Sequence, residues 1–200
     1  MKLRGLYAVT PELADGELLL RKVALALEGG IALLQYRKKE GRNLPQARAL
    51  AALCRRAGVP FVVNDDLELA LACDADGAHV GRDDGEPGVS RKKLQGKLLG
   101  VSCYGSLDRA RAAVAAGADY IAFGSVFASP TKPSAARAPL TLFGEARALG
   151  LPMVAIGGIT LENAPLLLQA GADSLAVVSD LFDAPDITAR ARAYGKLFGS

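Results

Sequence analysis

A chain of 200 residues, half of them apolar, is long enough for one sizeable core and short for two domains. Its net charge of +3 comes from lysines and arginines spread along the chain, which disfavours duplex nucleic acid as the main partner but leaves a small anionic substrate open. Cys54, Cys73 and Cys103 form no CxxC and no even set, so a disulfide framework and a zinc ribbon are both disfavoured and a reducing cytoplasm is expected. The opening "MKLRGLYAVTPE" lacks the apolar run of a signal peptide, and no stretch of about 18 uncharged apolar residues predicts a membrane span.

In chain order, short apolar runs alternate with helix-patterned segments. "GLYAV" (5–9) reads as a first strand and is followed by "ELLLRKVALALEGG", apolar at three- and four-residue spacing and ending in glycine. "EGGIALLQYR" (28–37) is a second strand running into Gln35, Arg37 and Lys39, and "LPQARALAALCRRAG" is a second helix. "PFVVN" (60–64) ends in Asn64 and Asp65, with Asp66 placed to start a helix. "CDADGAHVGR" (73–82) leads to Asp83 and Asp84, and "LLGVS" (98–102) to Ser102. "SLDRARAAVAAG" opens on Ser106, a favourable N-cap, and closes on Gly117. "AGADYIAFGS" (116–125) precedes "FASPTKP", with Ser129, Thr131 and Lys132. "PMVAIG" (152–157) ends in Gly157 and Gly158, and "AGADSLAVVS" (170–179) in Ser179.

The Ala-Asp pairs beginning at Ala75, Ala118 and Ala172 are 43 and 54 residues apart, each gap roughly two strand–helix units. Continuous apolar strands alternating with helices predict a parallel sheet. Eight units in 200 residues, about 25 each, predict a single closed (β/α)8 TIM barrel over residues 1–200. The rival is a doubly wound open sheet, whose first turn usually carries GxGxxG; "YAVTPELADG" has none.

In such a barrel the chemistry gathers where strands run out into loops. Asp65 and Asp84 fall on the ends of adjacent strands, about 4.8 Å apart, and read either as solvated loop acids or as a pair sharing one Mg2+. Arg37 and Lys39 share a face with Gln35 if the backbone stays extended, and read as an exposed basic loop or as phosphate ligands. "FASPTKP" is a plain turn or a stiffened phosphate loop, and "AIGGIT" a tight turn or a place where an anion meets bare backbone. His79, the sole histidine, sits inside an apolar strand and is expected to be buried and hydrogen-bonded; one histidine excludes multi-histidine zinc sites. Cys103 has no activating neighbour in sequence and is expected to pack.

The segments "LYAVT", "LQYRKK", "VVNDD", "DADGAHVGRDD", "GVS", "SPTK" and "VAIGGIT-EN", in this order and covering nearly the whole chain, resemble the thiamine phosphate synthase family. The resemblance implies a (β/α)8 transferase. It would join 4-amino-2-methyl-5-hydroxymethylpyrimidine diphosphate to 4-methyl-5-(2-phosphooxyethyl)thiazole, releasing pyrophosphate through a carbocation-like transition state. It further implies that Gln35, Arg37, Lys39, Asn64, Ser102 and Lys132 hold the pyrimidine diphosphate, with Arg37, Lys39, Ser102 and Lys132 acting on the leaving group. Asp65 and Asp84 would bind Mg2+; Ser129, Thr131, Gly158, Val178 and Ser179 would hold the thiazole phosphate. The chain departs from the family at Arg82, where Gln is common, at Tyr104, where His is common, at Ser129, where Thr is usual, and in lacking a glycine within "ARAPL" (136–140). The alternatives are a thiazole tautomerase-like paralogue and a non-catalytic thiamine-phosphate-binding barrel. The partners expected are phosphorylated small molecules, with neither nucleic acid nor membrane; a homo-oligomer is compatible with the sequence and not derivable from it.

Overall fold

The computed structural model describes residues 3–39, 41–82, 84–128 and 137–199. Eight parallel strands close on themselves in sequence order: β1 (Gly5–Val9), β2 (Leu33–Tyr36), β3 (Phe61–Asn64), β4 (Gly77–Val80), β5 (Leu98–Tyr104), β6 (Tyr120–Gly124), β7 (Met153–Ile156) and β8 (Ser174–Val177). The helices between and after them are α1 (Gly16–Glu28), α2 (Leu44–Ala57), α3 (Leu67–Ala72), α4 (Pro87–Leu94), α5 (Leu107–Ala115), α6 (Thr141–Ala146), α7 (Ala164–Ala170), α8 (Ser179–Phe182) and α9 (Ile187–Lys196). The closed (β/α)8 barrel expected from the alternation is therefore present.

Local chemistry starts the helices where the sequence places the caps. Asp15, Asn43, Asp66, Ser106 and Asp186 each accept a hydrogen bond from a backbone N–H three residues on. Each such cap contributes about 1 kcal/mol by pairing an otherwise orphaned donor. Gly58 ends α2 in the left-handed region, at φ 67°, next to Arg55 and Arg56, whose charges favour the helix C-terminus.

Strand residues divide by period two. One set, including Leu6, Leu34, Val63, Val101 and Ile121, packs outward against the helices. The other, including Tyr7, Val9, Leu33, Val62, Tyr120, Val154 and Ala176, fills the barrel. The Ala-Asp repeat belongs to the bottom of this barrel. Asp76, Asp119 and Asp173 each give their backbone N–H to a carbonyl at the start of a neighbouring strand, that of Phe61, Leu99 and Met153 in turn, at 2.8 Å. Each carboxylate accepts the same residue's N–H at 2.8–2.9 Å. The repeat thus ties β4 to β3, β6 to β5 and β8 to β7, and marks architecture rather than chemistry.

Gly100 on β5 makes room for one of the two interior tyrosines: a Cβ there would overlap the ring of Tyr120, which is fully buried. Gly100→Ala is expected to cost roughly 1–3 kcal/mol through overpacking. Urea unfolding measures this; a midpoint equal to that of the unaltered protein would mean the ring has room to move.

Candidate active site

The C-terminal ends of β2 to β5 bring four inward-facing polar side chains to one mouth. Val9 pairs with Gln35, Asn64 with His79 and His79 with Gly100, while Ser102 lies on β5 beyond Gly100. Gln35 and His79 are buried among apolar neighbours, and Asn64 and Ser102 are half-buried above them. The expected buried, hydrogen-bonded role of His79 is borne out: Nε2 lies 2.9 Å from Ser102 Oγ and Nδ1 3.2 Å from Tyr120 Oη. Burial pushes its pKa down to about 4, against the opposing pull of Asp84, so the ring is neutral near pH 7.

β2 stops at Tyr36, so the strand alternation that would put Arg37 and Lys39 on Gln35's face ends one residue too early. Thr10 directs the chain instead. Its N–H bonds Gln35 O at 2.9 Å, while its hydroxyl accepts from Arg37 N at 2.9 Å and donates to Arg37 O at 3.4 Å. Arg37 is left half-buried beside the carboxylates, whereas Lys39 is exposed, its backbone N–H held by the Glu12 carboxylate. Thr10 was not singled out from the sequence; a hydroxyl just past an apolar strand is its only signal.

The run that closes β3 splits its three polar residues by task. Asn64 donates its amide to the Asp65 carboxylate. Asp65 turns into the left-handed region, at φ 64°, with its N–H on His79 O at 2.8 Å. Asp66 caps α3, accepting from Leu69 N at 2.9 Å, and also pairs with Arg42, which confirms its helix-start role.

Across the mouth, Asp84 accepts from Gly81 N at 2.7 Å, and its carboxyl is near enough to act on that of Asp65. Glycine at 81 permits this approach, because a Cβ would stand 3.0 Å from Asp84 Oδ2. Burial first, and then Asp84 through its hydrogen bond and charge, push the Asp65 carboxyl up to about 7; Asn64 and Arg37 pull the other way. Two carboxylates this close cannot both ionise cheaply unless a proton or a cation sits with them. Among the described residues no group of three or more His, Cys, Asp or Glu side chains forms a protein-only cage. A cation held here would draw its remaining ligands from water and substrate oxygens.

β5 runs two residues past its expected end, to Tyr104, with a register shift between Ser102 and Tyr104 that re-aims the latter. Tyr104 Oη accepts from Arg82 N at 3.0 Å, and the guanidinium groups of Arg82 and Arg109 lie 4.8 and 5.3 Å from its ring centroid. Two of the positions that depart from the resembled pattern, Arg82 and Tyr104, are thus in contact. Cys103 is buried, with its thiol pushed up to about 12 by burial, as expected of a packing residue.

On the far side, Gly157 and Gly158 have φ of 105° and 65°, and a Cβ on either would overlap the 125–128 segment. Phe127 N bonds Gly157 O at 3.0 Å, and Asn163 Nδ2 bonds Gly158 O at 2.9 Å, so the glycines serve close approach of the chain to itself. Val178 lines the barrel interior in part, and Ser179 is the exposed first residue of α8. Ser129, Thr131 and Lys132 lie outside the described residues.

Residues 6–181 match a family model described as thiamine monophosphate synthase. The thiamine-phosphate synthase of Aromatoleum aromaticum is 58% identical over 202 residues, covering 98% of this chain and 97% of that protein. That of Azoarcus sp. is 56% identical over 202 residues, covering 98% of each. Among solved structures, a thiamine phosphate pyrophosphorylase from Pyrococcus furiosus superposes with a TM-score of 0.88 at 32% identity, over 99% of this chain and 96% of that one.

Proposed function

Because the chain belongs to the thiamine monophosphate synthase family, we propose that it is a transferase forming thiamine phosphate from 4-amino-2-methyl-5-hydroxymethylpyrimidine diphosphate and 4-methyl-5-(2-phosphooxyethyl)thiazole, with release of pyrophosphate. The observation that carries this reading beyond family membership is the carboxyl pair of Asp65 and Asp84, close enough to act on one another beside Arg37 and Asn64 at the barrel mouth. Two carboxylates open to further oxygen ligands suit Mg2+, which keeps several ligands from water and substrate phosphates. Bound there, Mg2+ would supply positive charge to oxygens of the diphosphate.

The protein's own groups account for the rest. The reaction breaks the bond between the pyrimidine's methylene carbon and a diphosphate oxygen, the electron pair leaving with pyrophosphate. The thiazole nitrogen then gives its lone pair to that carbon. No proton need be removed from the nucleophile, so a site whose one histidine is buried and neutral is adequate. Arg37, Lys39, Asn64, Ser102 and Lys132 offer donors to an anion whose charge grows as the bond breaks. Gln35, at the floor of the mouth, would hold the pyrimidine ring. Ser129, Thr131, Gly158, Val178 and Ser179 would anchor the thiazole's phosphate, so that remote binding energy fixes the nitrogen for attack. A cytoplasmic setting is supported by three free, buried cysteines; among the described residues no helix is long and apolar enough to cross a membrane.

The test is a pyrophosphate-release assay with each substrate alone and both together, with Mg2+ or with EDTA. The expected result is release only with both substrates and Mg2+, matched one-to-one by thiamine phosphate. Isomerised thiazole phosphate without pyrophosphate would instead identify a tautomerase, and tight binding with no turnover a binding protein.

A further inference from the structure

The barrel interior carries a polar chain whose three middle members, Tyr7, Tyr120 and His79, the scheme above leaves unused. Gln35 Nε2 lies 2.6 Å from Tyr7 Oη, which lies 2.9 Å from Tyr120 Oη. Tyr120 Oη lies 3.2 Å from His79 Nδ1, and His79 Nε2 lies 2.9 Å from Ser102 Oγ. Five side chains on five strands therefore connect Gln35 to Ser102 through the centre of the molecule. Tyr7 and Tyr120 are 1% and 0% exposed, so bulk solvent does not reach their hydroxyls. The rings hold the line in shape as well: Tyr120 stacks on His79, with centroids 5.6 Å apart, and meets Tyr7 edge-on at 5.9 Å.

Counting hydrogens gives this chain one direction. An amide nitrogen can only donate, so Gln35 donates to Tyr7. Tyr7 then satisfies its own O–H by donating to Tyr120, and Tyr120 satisfies its own by donating to His79 Nδ1. A neutral imidazole that accepts at Nδ1 carries its hydrogen on Nε2, which it donates to Ser102. Run the other way, from Ser102 toward Tyr7, the chain would leave the buried Tyr7 O–H without an acceptor. Ser102 Oγ, accepting from His79, keeps its own hydrogen for an acceptor at the mouth. Gln35 spends one N–H inward and presents its carbonyl and its second N–H outward. That acceptor–donor pair matches the edge of a 4-aminopyrimidine, where the amino group donates and the adjacent ring nitrogen accepts.

We propose that Tyr7, Tyr120 and His79 are positioning residues: a one-way hydrogen-bond relay that makes Ser102 a donor toward the leaving diphosphate and orients the Gln35 amide for the aminopyrimidine edge. The substrate part of this statement rests on the synthase reading above; the direction of the relay does not.

Two measurements test it. His79 is the sole histidine, so 15N-imidazole NMR of the unaltered protein reads one ring without assignment. The expected result is a neutral ring protonated on Nε2; protonation on Nδ1, or an imidazolium at neutral pH, overturns the relay. The second is a double-mutant cycle on kcat, normalised to folded protein. Tyr120→Phe is expected to lower kcat about tenfold, the worth of one hydrogen bond. The KM for the thiazole phosphate should stay within about twofold, because that phosphate is held elsewhere. Ser102→Ala combined with Tyr120→Phe should be slower than Ser102→Ala alone by less than about twofold, since one loss already contains the other. Full multiplication of the two losses overturns the relay, as does a Tyr120→Phe that alters only stability. If Tyr120→Phe does not fold, Tyr7→Phe enters the same cycle with the amide of Gln35 and the NMR reading still decides. Absence of product from the unaltered protein overturns the synthase reading, while the tautomer continues to test the relay.

Discussion

Asp65→Asn should lower thiamine phosphate formation by about 10³-fold or more, because it removes half of the carboxyl pair at the described mouth and with it the seat proposed for a cation opposite the leaving group. Mg2+ at 100 times its dissociation constant should stabilise the unaltered protein by about 2.7 kcal/mol, and Asp65→Asn should show no such thermal shift. Without metal the sign reverses. In the fold, burial and Asp84 raise the Asp65 carboxyl to about 7, above its ordinary value of 3.8. Its contribution to stability is thus intact below about pH 4 and is lost as pH rises through about 7. Asp65 is open to solvent on one side, and screening keeps the effect near 1 kcal/mol. In EDTA at pH 8, Asp65→Asn should therefore be the more stable protein, and its urea midpoint should be flatter between pH 4 and 7. Normal turnover and an unchanged Mg2+ shift in this variant would remove Asp65 from the site.

Arg37→Ala should lower kcat by about 10²–10³, the range for losing one donor that acts on developing charge. The loss should appear with little change in melting temperature. Thr10 holds the backbone of residue 37 through both its N–H and its carbonyl, and the half-exposed side chain is not part of the apolar core. Arg37→Lys should recover activity only in part, since an ammonium cannot offer the guanidinium's paired donors. The KM for the thiazole phosphate should be unaffected. A change in kcat of less than about threefold would show that Arg37 does not touch the departing anion.

The two variants separate a pair of tasks that the sequence merges. "NDD" and "QYR" present polar residues at strand ends without saying which face the mouth and which face the solvent. Asp66, one residue from Asp65, became a cap because its side chain reaches Leu69 N three residues on, a local geometry. Asp65 became half of a pair because its left-handed backbone and its bond to His79 O carry it toward β4, a geometry set by the neighbouring strand. Arg37 and Lys39 likewise fall beyond the end of β2 at Tyr36, where the hydroxyl of Thr10, just past β1, holds the backbone of residue 37.

The sequence by itself determined the strand and helix alternation, the helix starts at Asp66 and Ser106, the closed eight-unit barrel and the family. Each of these follows from periodicity, capping and motif spacing within a few residues or from repetition along the chain. Tertiary structure alone decided the hydrogen-bond line from Gln35 to Ser102, the facing of Asp65 and Asp84, and the use of the Ala-Asp repeat as a strand tie. Tyr7 and Tyr120 stand 113 positions apart and read separately as apolar packing residues. They become polar partners only when the sheet closes and register sets which alternate side chains share the interior, where a lone hydroxyl must find a mate or remain costly to bury.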